Sequence, residues 1–166
     1  THEGQSKDET SRRSRVLFAI HGSKWNDVFL QRLKLHLSHI APALGLDAMR
    51  LVPKEIQLTA SNDGDFFKAH VDSGNVNDDV VKRVLTFVYY LHKTPRPFSG
   101  GDLLVYTGYP NTDPSQQSMA TIAVPPRNNT LVAFVSNTTH EVDVVRCPSG
   151  EFGDSRFTVN GWMQYA

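Results

Sequence analysis

The sequence predicts a mostly β fold: a double-sheet jelly roll, or double-stranded β-helix, with one N-terminal helix packed on a sheet. Apolar residues recur at helical spacing only between Trp25 and Leu44. Beyond Gly45 the pattern changes to short β-rich runs separated by clusters of Gly, Pro, Asn and Asp. One helix against about eight such runs suggests two sheets packed on each other, with the helix covering one of them.

Residues 1–14, THEGQSKDETSRRS, are almost wholly polar and read as a flexible lead-in. The run RVLFAI follows as a strand. In the helix, Phe29, Leu33, Leu37, Ile40 and Leu44 form the apolar stripe, Ser23 or Asn26 is placed to cap its start, and Gly45 to end it. The strands expected after it are EIQLTA, FFKAHVD, RVLTFVYYLH, GDLLVYTG, ATIAVP, TLVAFVS, HEVDVV and RFTVNGWM. With no repeat, low-complexity tract or linker, residues 15–166 read as one domain.

The 166 residues allow one domain with a real core. Seventeen basic residues balance seventeen acidic ones, which argues against a nucleic acid or an anionic membrane as the main partner. No apolar run approaches the ~20 residues that span a bilayer. Cys147 has no second cysteine to pair with, which fits a reducing compartment and a cytoplasmic location. The sequons at Asn128 and Asn137 pull weakly the other way. A chain opening on Thr1 reads as trimmed, so a lost leader is compatible with it.

The chemistry starts at His70–Val71–Asp72. On a strand, residues two apart share a face with Cα atoms about 6.5–7 Å apart, close enough for imidazole and carboxylate to meet at one ion. His140 stands 68 residues beyond Asp72, at the start of another expected strand. Two histidines and one carboxylate on one side of a metal leave the opposite positions open, the arrangement of non-haem Fe(II) sites. Taken alone each of these residues has an ordinary reading, packing or solvent exposure. His36 and His39, three apart on the helix without a nearby carboxylate or cysteine, keep that ordinary reading.

Arg156 heads the last expected strand, with Thr158, Asn160 and Trp162 on its face. A guanidinium inside a barrel is costly unless an anion meets it, and its planar fork suits a carboxylate. A dicarboxylate could chelate the metal at one end and pair with Arg156 at the other, with the Tyr90 phenol donating to the same carboxylate. The competing readings are a surface ion pair of Arg156 with Glu151 or Asp154, and simple core packing for Tyr90.

Taken together, HVD, RVLTFVYYLH, FSGGDLLVY, PPRNNTLVAFVSNTTHEVDVV and SRFTVNGW resemble the 2-oxoglutarate- and Fe(II)-dependent oxygenases of the prolyl 4-hydroxylase-like group. The likeness runs from about Glu55 to Trp162. It implies His70, Asp72 and His140 as iron ligands, and Arg156 as partner of the distal 2-oxoglutarate carboxylate. Tyr90 would lie beside that cosubstrate and Leu103 pack against it. The implied cofactors are Fe(II), 2-oxoglutarate and O2, with ascorbate as a possible helper. The implied reaction is hydroxylation of an unactivated C–H bond, since halogenating relatives lack the carboxylate that Asp72 supplies. Gly100 and Gly101 fit the turn before GDLLVYTG, where positive φ is tolerated.

Two departures stand out. The hairpin RCPSGEFGDS pushes Arg156 sixteen positions beyond His140, yet RFTVNGW matches in kind and favours Arg156 over Arg146. Near Thr59 and Ala60 a tyrosine used by many relatives at the substrate is missing. The substrate is therefore left open between a peptidyl residue and a small molecule. DSGNVNDDVVK and TGYPNTDPSQQSM are the loops placed to form its surroundings. His92, Lys93 and Arg96 read as a solvated basic loop, and Cys147 as structural or exposed. Two other classes remain open: a non-catalytic jelly-roll metal-binding module, and a cupin-like metalloenzyme that does not use 2-oxoglutarate.

Overall fold

The apolar stripe forms α1 (Lys24–Ala43) in the computed structural model of the chain, which describes residues 3–5, 10–17, 23–74, 82–107 and 120–166. Ser23, not Asn26, is the cap: its Oγ accepts from Asn26 N at 3.1 Å and satisfies one of the free donors of the first turn. At the other end Gly45 sits at φ 72°. Its N–H donates to Pro42 O at 3.0 Å and that of Leu46 to Ala41 O at 2.8 Å, the paired bonds of a Schellman closure. No helix among the described residues is long and apolar enough to cross a membrane.

In chain order the strands are β1 (Glu3–Gln5), β2 (Arg12–Arg13), β3 (Arg15–Leu17), β4 (Leu51–Ser61), β5 (Phe66–His70), β6 (Arg83–Leu91) and β7 (Ser99–Gly100). Then come β8 (Leu103–Thr107), β9 (Ala120–Val124), β10 (Thr130–Val135), β11 (His140–Val142), β12 (Val145–Arg146) and β13 (Arg156–Tyr165). They build a six-stranded sheet ordered β1-β3-β4-β13-β6-β10, a five-stranded sheet ordered β2-β5-β11-β8-β9, and the pair β12-β7. The result is a jelly roll with one helix, as the sequence pattern predicts.

Alternation along the central strands divides the large sheet into two faces. One carries Ile56, Leu85, Phe87, Val159 and Met163 against Leu33, Leu37 and Ala41 of α1. The other faces the small sheet, where Val88, Tyr90, Leu103 and Phe134 form a second apolar cluster. On β13 the inward set is Arg156, Thr158, Asn160 and Trp162, paired in register with Ser61, Thr59, Gln57 and Glu55 of β4. One face of β13 thus builds core while the other builds a polar wall.

Three expectations change. Residues 1–14 are not a free lead-in throughout: β1 pairs with β3, and β2 pairs with β5. The free backbone groups along sheet edges take partners whatever the side chains beside them, so polar composition did not predict this. His70 and Asp72 do not share a strand, because β5 ends at His70 and Asp72 lies in the following bend. HEVDVV splits into β11 and β12, which belong to different sheets. Residues 18–20 of the RVLFAI run, and most of both loops proposed to surround the substrate (75–81 and 108–119), lie outside the described residues.

Candidate metal and cosubstrate site

Two backbone features bring His70, Asp72 and His140 together. β11 pairs with β5 so that His140 is opposite His70, setting the ring centroids 4.3 Å apart. The bend after β5 is pinned where Ser136 O accepts from Asp72 N at 2.9 Å and from Ser73 N at 3.0 Å. The carboxylate thereby faces both rings: His70 Nε2 lies 3.6 Å from Oδ1 and His140 Nε2 3.4 Å from Oδ2. The potential ligand atoms of the three residues all lie within 4.8 Å of one another.

The outer contacts fix which atoms are offered. His70 Nδ1 lies 2.8 Å from Lys68 O, and His140 Nδ1 2.9 Å from Thr138 O. A carbonyl only accepts, so each Nδ1 carries the proton and each Nε2 lone pair is directed at the shared point. Thr86 Oγ1 donates to Asp72 Oδ2 at 2.8 Å and is itself 3.0 Å from Ser136 Oγ. Phe67 stacks on His70 at 3.6 Å and Phe134 meets His140 edge-on at 4.6 Å, so apolar walls enclose the group.

Burial pushes the His140 pKa below the usual histidine value, against the pull of Asp72, and so favours the neutral, ligating form. Burial works to raise Asp72, but the interaction with His70 and the charge of His140 outweigh it, and the carboxyl sits below its usual range. Two imidazole nitrogens and one carboxylate oxygen therefore converge, a donor set that fits Fe(II) and leaves other positions for ligands.

Arg156 is 3% exposed, and its Nε donates to Gly101 O at 2.8 Å. Its guanidinium lies over the Tyr90 ring at 5.0 Å. No carboxylate reaches it at ion-pair distance among the described residues: Asp154, offered as a surface partner, pairs instead with Lys93 at 2.5 Å. Gly101 has φ 69°, and a Cβ there would come 2.7 Å from Arg156 Cδ, so this turn needs glycine on both counts. Arg146, the other basic residue of the hairpin, is exposed.

Among the described residues the buried hydroxyls of Tyr90 and Thr158 lack hydrogen-bond partners of good geometry, Tyr90 having only the Arg156 guanidinium beside it. Burial raises the Tyr90 pKa, so the phenol remains a donor. A buried cation and two orphaned hydroxyls are costly unless an anion completes them. Arg156, Thr158 and the buried Leu103 line the same cavity, of about 60 Å³, as His70, Asp72 and His140. A larger groove of about 310 Å³ adjoins it but contains none of these six residues. Cys147 is buried and free, and its Sγ contacts Ser149 Oγ and Asp154 O, away from this group.

Sequence reasoning missed Thr86, Ser136, Phe67 and Arg12. Alternation along β6 pointed to Thr86, which shares the inward face with Val88 and Tyr90. Nothing in the polar composition around Arg12 marked it as a wall of the cavity.

A jelly roll that brings two histidines and a carboxylate together on one cavity has the donor set of a non-haem metalloprotein. Residues 56–164 match the family model described as the 2OG-Fe(II) oxygenase superfamily, and the chain belongs to that family. It is 37% identical over 161 residues to a Synechocystis sp. protein named as an uncharacterized PKHD-type hydroxylase, covering 96% of this chain and 52% of that protein. The chain thus spans about half the length of this curated relative.

Among solved structures it is similar in fold to a Pseudomonas putida prolyl-4-hydroxylase, with a TM-score of 0.68 and 20% identity over 99% of this chain and 77% of that one. It is similar also to a Trichoplax adhaerens prolyl hydroxylase solved with a hypoxia inducible factor peptide fragment, with a TM-score of 0.64 and 17% identity over 98% and 70% of the two chains.

Proposed function

We propose that the protein is an Fe(II)- and 2-oxoglutarate-dependent dioxygenase that hydroxylates an unactivated C–H bond. The observation that carries this reading is the buried Arg156, with no carboxylate at ion-pair distance among the described residues, in the same cavity as His70, Asp72 and His140. His70, Asp72 and His140 would hold Fe(II), and Arg156 the far carboxylate of 2-oxoglutarate, with the Tyr90 and Thr158 hydroxyls as further donors. When bound, metal and cosubstrate supply O2 activation coupled to decarboxylation of 2-oxoglutarate to succinate and CO2. The protein contributes placement. Lys68 and Thr138 carbonyls hold the imidazole tautomers, Thr86 holds Asp72, and Leu103 with Val88 supplies apolar lining of the cavity.

The substrate is a peptidyl residue or a small molecule, not a nucleic acid or a membrane lipid, because the chain carries no excess of basic charge. The lone free Cys147 favours a reducing compartment, the cytoplasm. Purified protein with Fe(II), 2-oxoglutarate and ascorbate should release succinate above the enzyme-free rate. The His70→Ala protein should not, and equal release from both would contradict the reading.

A further inference from the structure

The segment containing Arg12, Arg13, Ser14 and Arg15 crosses from one sheet to the other. Arg12 and Arg13 pair with Phe67 and Phe66 in the small sheet, and Arg15 pairs with Ala60 in the large one. Ser14 makes the crossing, so the segment lies as a strap over the open side of the roll. Arg12 and Ser14 line both the 60 Å³ cavity and the adjoining 310 Å³ groove. They stand where the two spaces meet.

Charges along this strap are unequally matched. Arg13 Nε sits 3.1 Å from Asp65 Oδ1, and the other acid of the groove, Asp63, accepts from Cys147 N at 2.9 Å. Arg12 has no carboxylate at ion-pair distance among the described residues. Its Nε donates to Ser14 Oγ at 2.8 Å, and its guanidinium lies 4.7 Å over the Phe67 ring. Phe67 in turn stacks on His70 at 3.6 Å. Arg12 is therefore a half-buried cation one aromatic ring from a metal-ligand residue. Further out, the Arg15 guanidinium lies 5.8 Å over Phe152, with no acid at ion-pair distance among the described residues.

Among the described residues the cavity therefore has two guanidinium groups with no carboxylate at ion-pair distance, the charge of Asp72 reaching Arg12 only from further off. Arg156 lies deepest and answers to the cosubstrate. Arg12 lies outward, where the cosubstrate's two carboxylates are already accounted for. A guanidinium placed over an aromatic ring, with Nε occupied and no acid at ion-pair distance among the described residues, offers a planar pair of donors to a carboxylate.

Resting on the oxygenase reading, we infer that Arg12 is a substrate-binding residue and that the substrate carries a carboxylate, held at the junction of cavity and groove. The rest of the substrate then extends from Arg12 along the groove in one direction and toward His70 in the other.

The test is calorimetric titration of Mn(II)- and 2-oxoglutarate-loaded protein with matched probes. These are N-acetyl amino acids against their amides, and hexapeptides carrying glutamate against the same peptides carrying glutamine. Acidic members should bind at least about ten-fold more tightly than their neutral partners, as a charge-assisted pair predicts. Arg12→Gln should abolish that preference and Arg12→Lys should keep part of it. Binding of the small acids identifies a metabolite-sized substrate, and binding of the acidic peptides alone identifies a peptidyl one. Equal binding of acid and amide, or no binding of either, overturns the inference. That contrast is read in the native protein, so it stands even if a variant fails to fold. Failure of the oxygenase reading shows separately, as absence of 2-oxoglutarate binding to the Mn(II) protein before any probe is added.

Discussion

One hydroxyl helps hold Asp72 toward the two imidazoles. Thr86 Oγ1 donates to Oδ2 at 2.8 Å from the inward face of β6, beside the bend that Ser136 O pins. Thr86→Val removes the donor with little change of shape. Loss of such an outer contact costs about 10–100-fold in metal affinity, so Mn(II) titration should show a drop of that order. Unchanged affinity would mean that the bend alone positions Asp72.

Gly101→Ala probes the other end of the cavity. At φ 69°, with the added Cβ 2.7 Å from Arg156 Cδ, the substitution must move the guanidinium or the turn. It should weaken 2-oxoglutarate binding by about ten-fold, the loss of one charge-assisted contact, and leave Mn(II) affinity nearly intact. At this scale the ligand types were legible in the sequence, because histidine, aspartate and arginine carry their chemistry in their names. Thr86, Ser136 and Arg12 were not, because each matters through a neighbour far away in sequence.

Helix α1 and strand β13 are the elements on which the site depends. α1 covers the outer face of the large sheet, and the core it packs on includes none of His70, Asp72 and His140. Leu37 is 5% exposed within that layer, so Leu37→Ala should cost about 2–5 kcal/mol of stability by urea unfolding. The folded fraction should bind 2-oxoglutarate as before, and a large change in that affinity would contradict the separation of the two faces. The limits of α1 were legible because caps and apolar period are local properties. Strand limits were less so. The end of β5 at His70 and the break between β11 and β12 follow from which strands pair. The polar residues around Arg12 became strand because neighbouring edges supplied partners. His70 and Asp72 consequently meet through a bend pinned on Ser136, a different route from strand alternation to the same neighbourhood.

Across the whole molecule, closing two sheets on each other gathers residues from β5, its following bend, β6, β8, β11 and β13 around one cavity. The large sheet supplies Arg156 and Thr158, the small one His70, His140 and Leu103, and Asp72 and Thr86 join them across the gap. That closure places a cation from the head of β13 in the same cavity as His70, Asp72 and His140, buried and with no carboxylate at ion-pair distance among the described residues. Crystals grown with Mn(II) and 2-oxoglutarate test this most directly through the anomalous signal of the metal. The account predicts one peak coordinated by His70 Nε2, Asp72 and His140 Nε2, with the far carboxylate of 2-oxoglutarate hydrogen-bonded to Arg156. Metal bound elsewhere, or 2-oxoglutarate absent from the Arg156 end of the cavity, would contradict it.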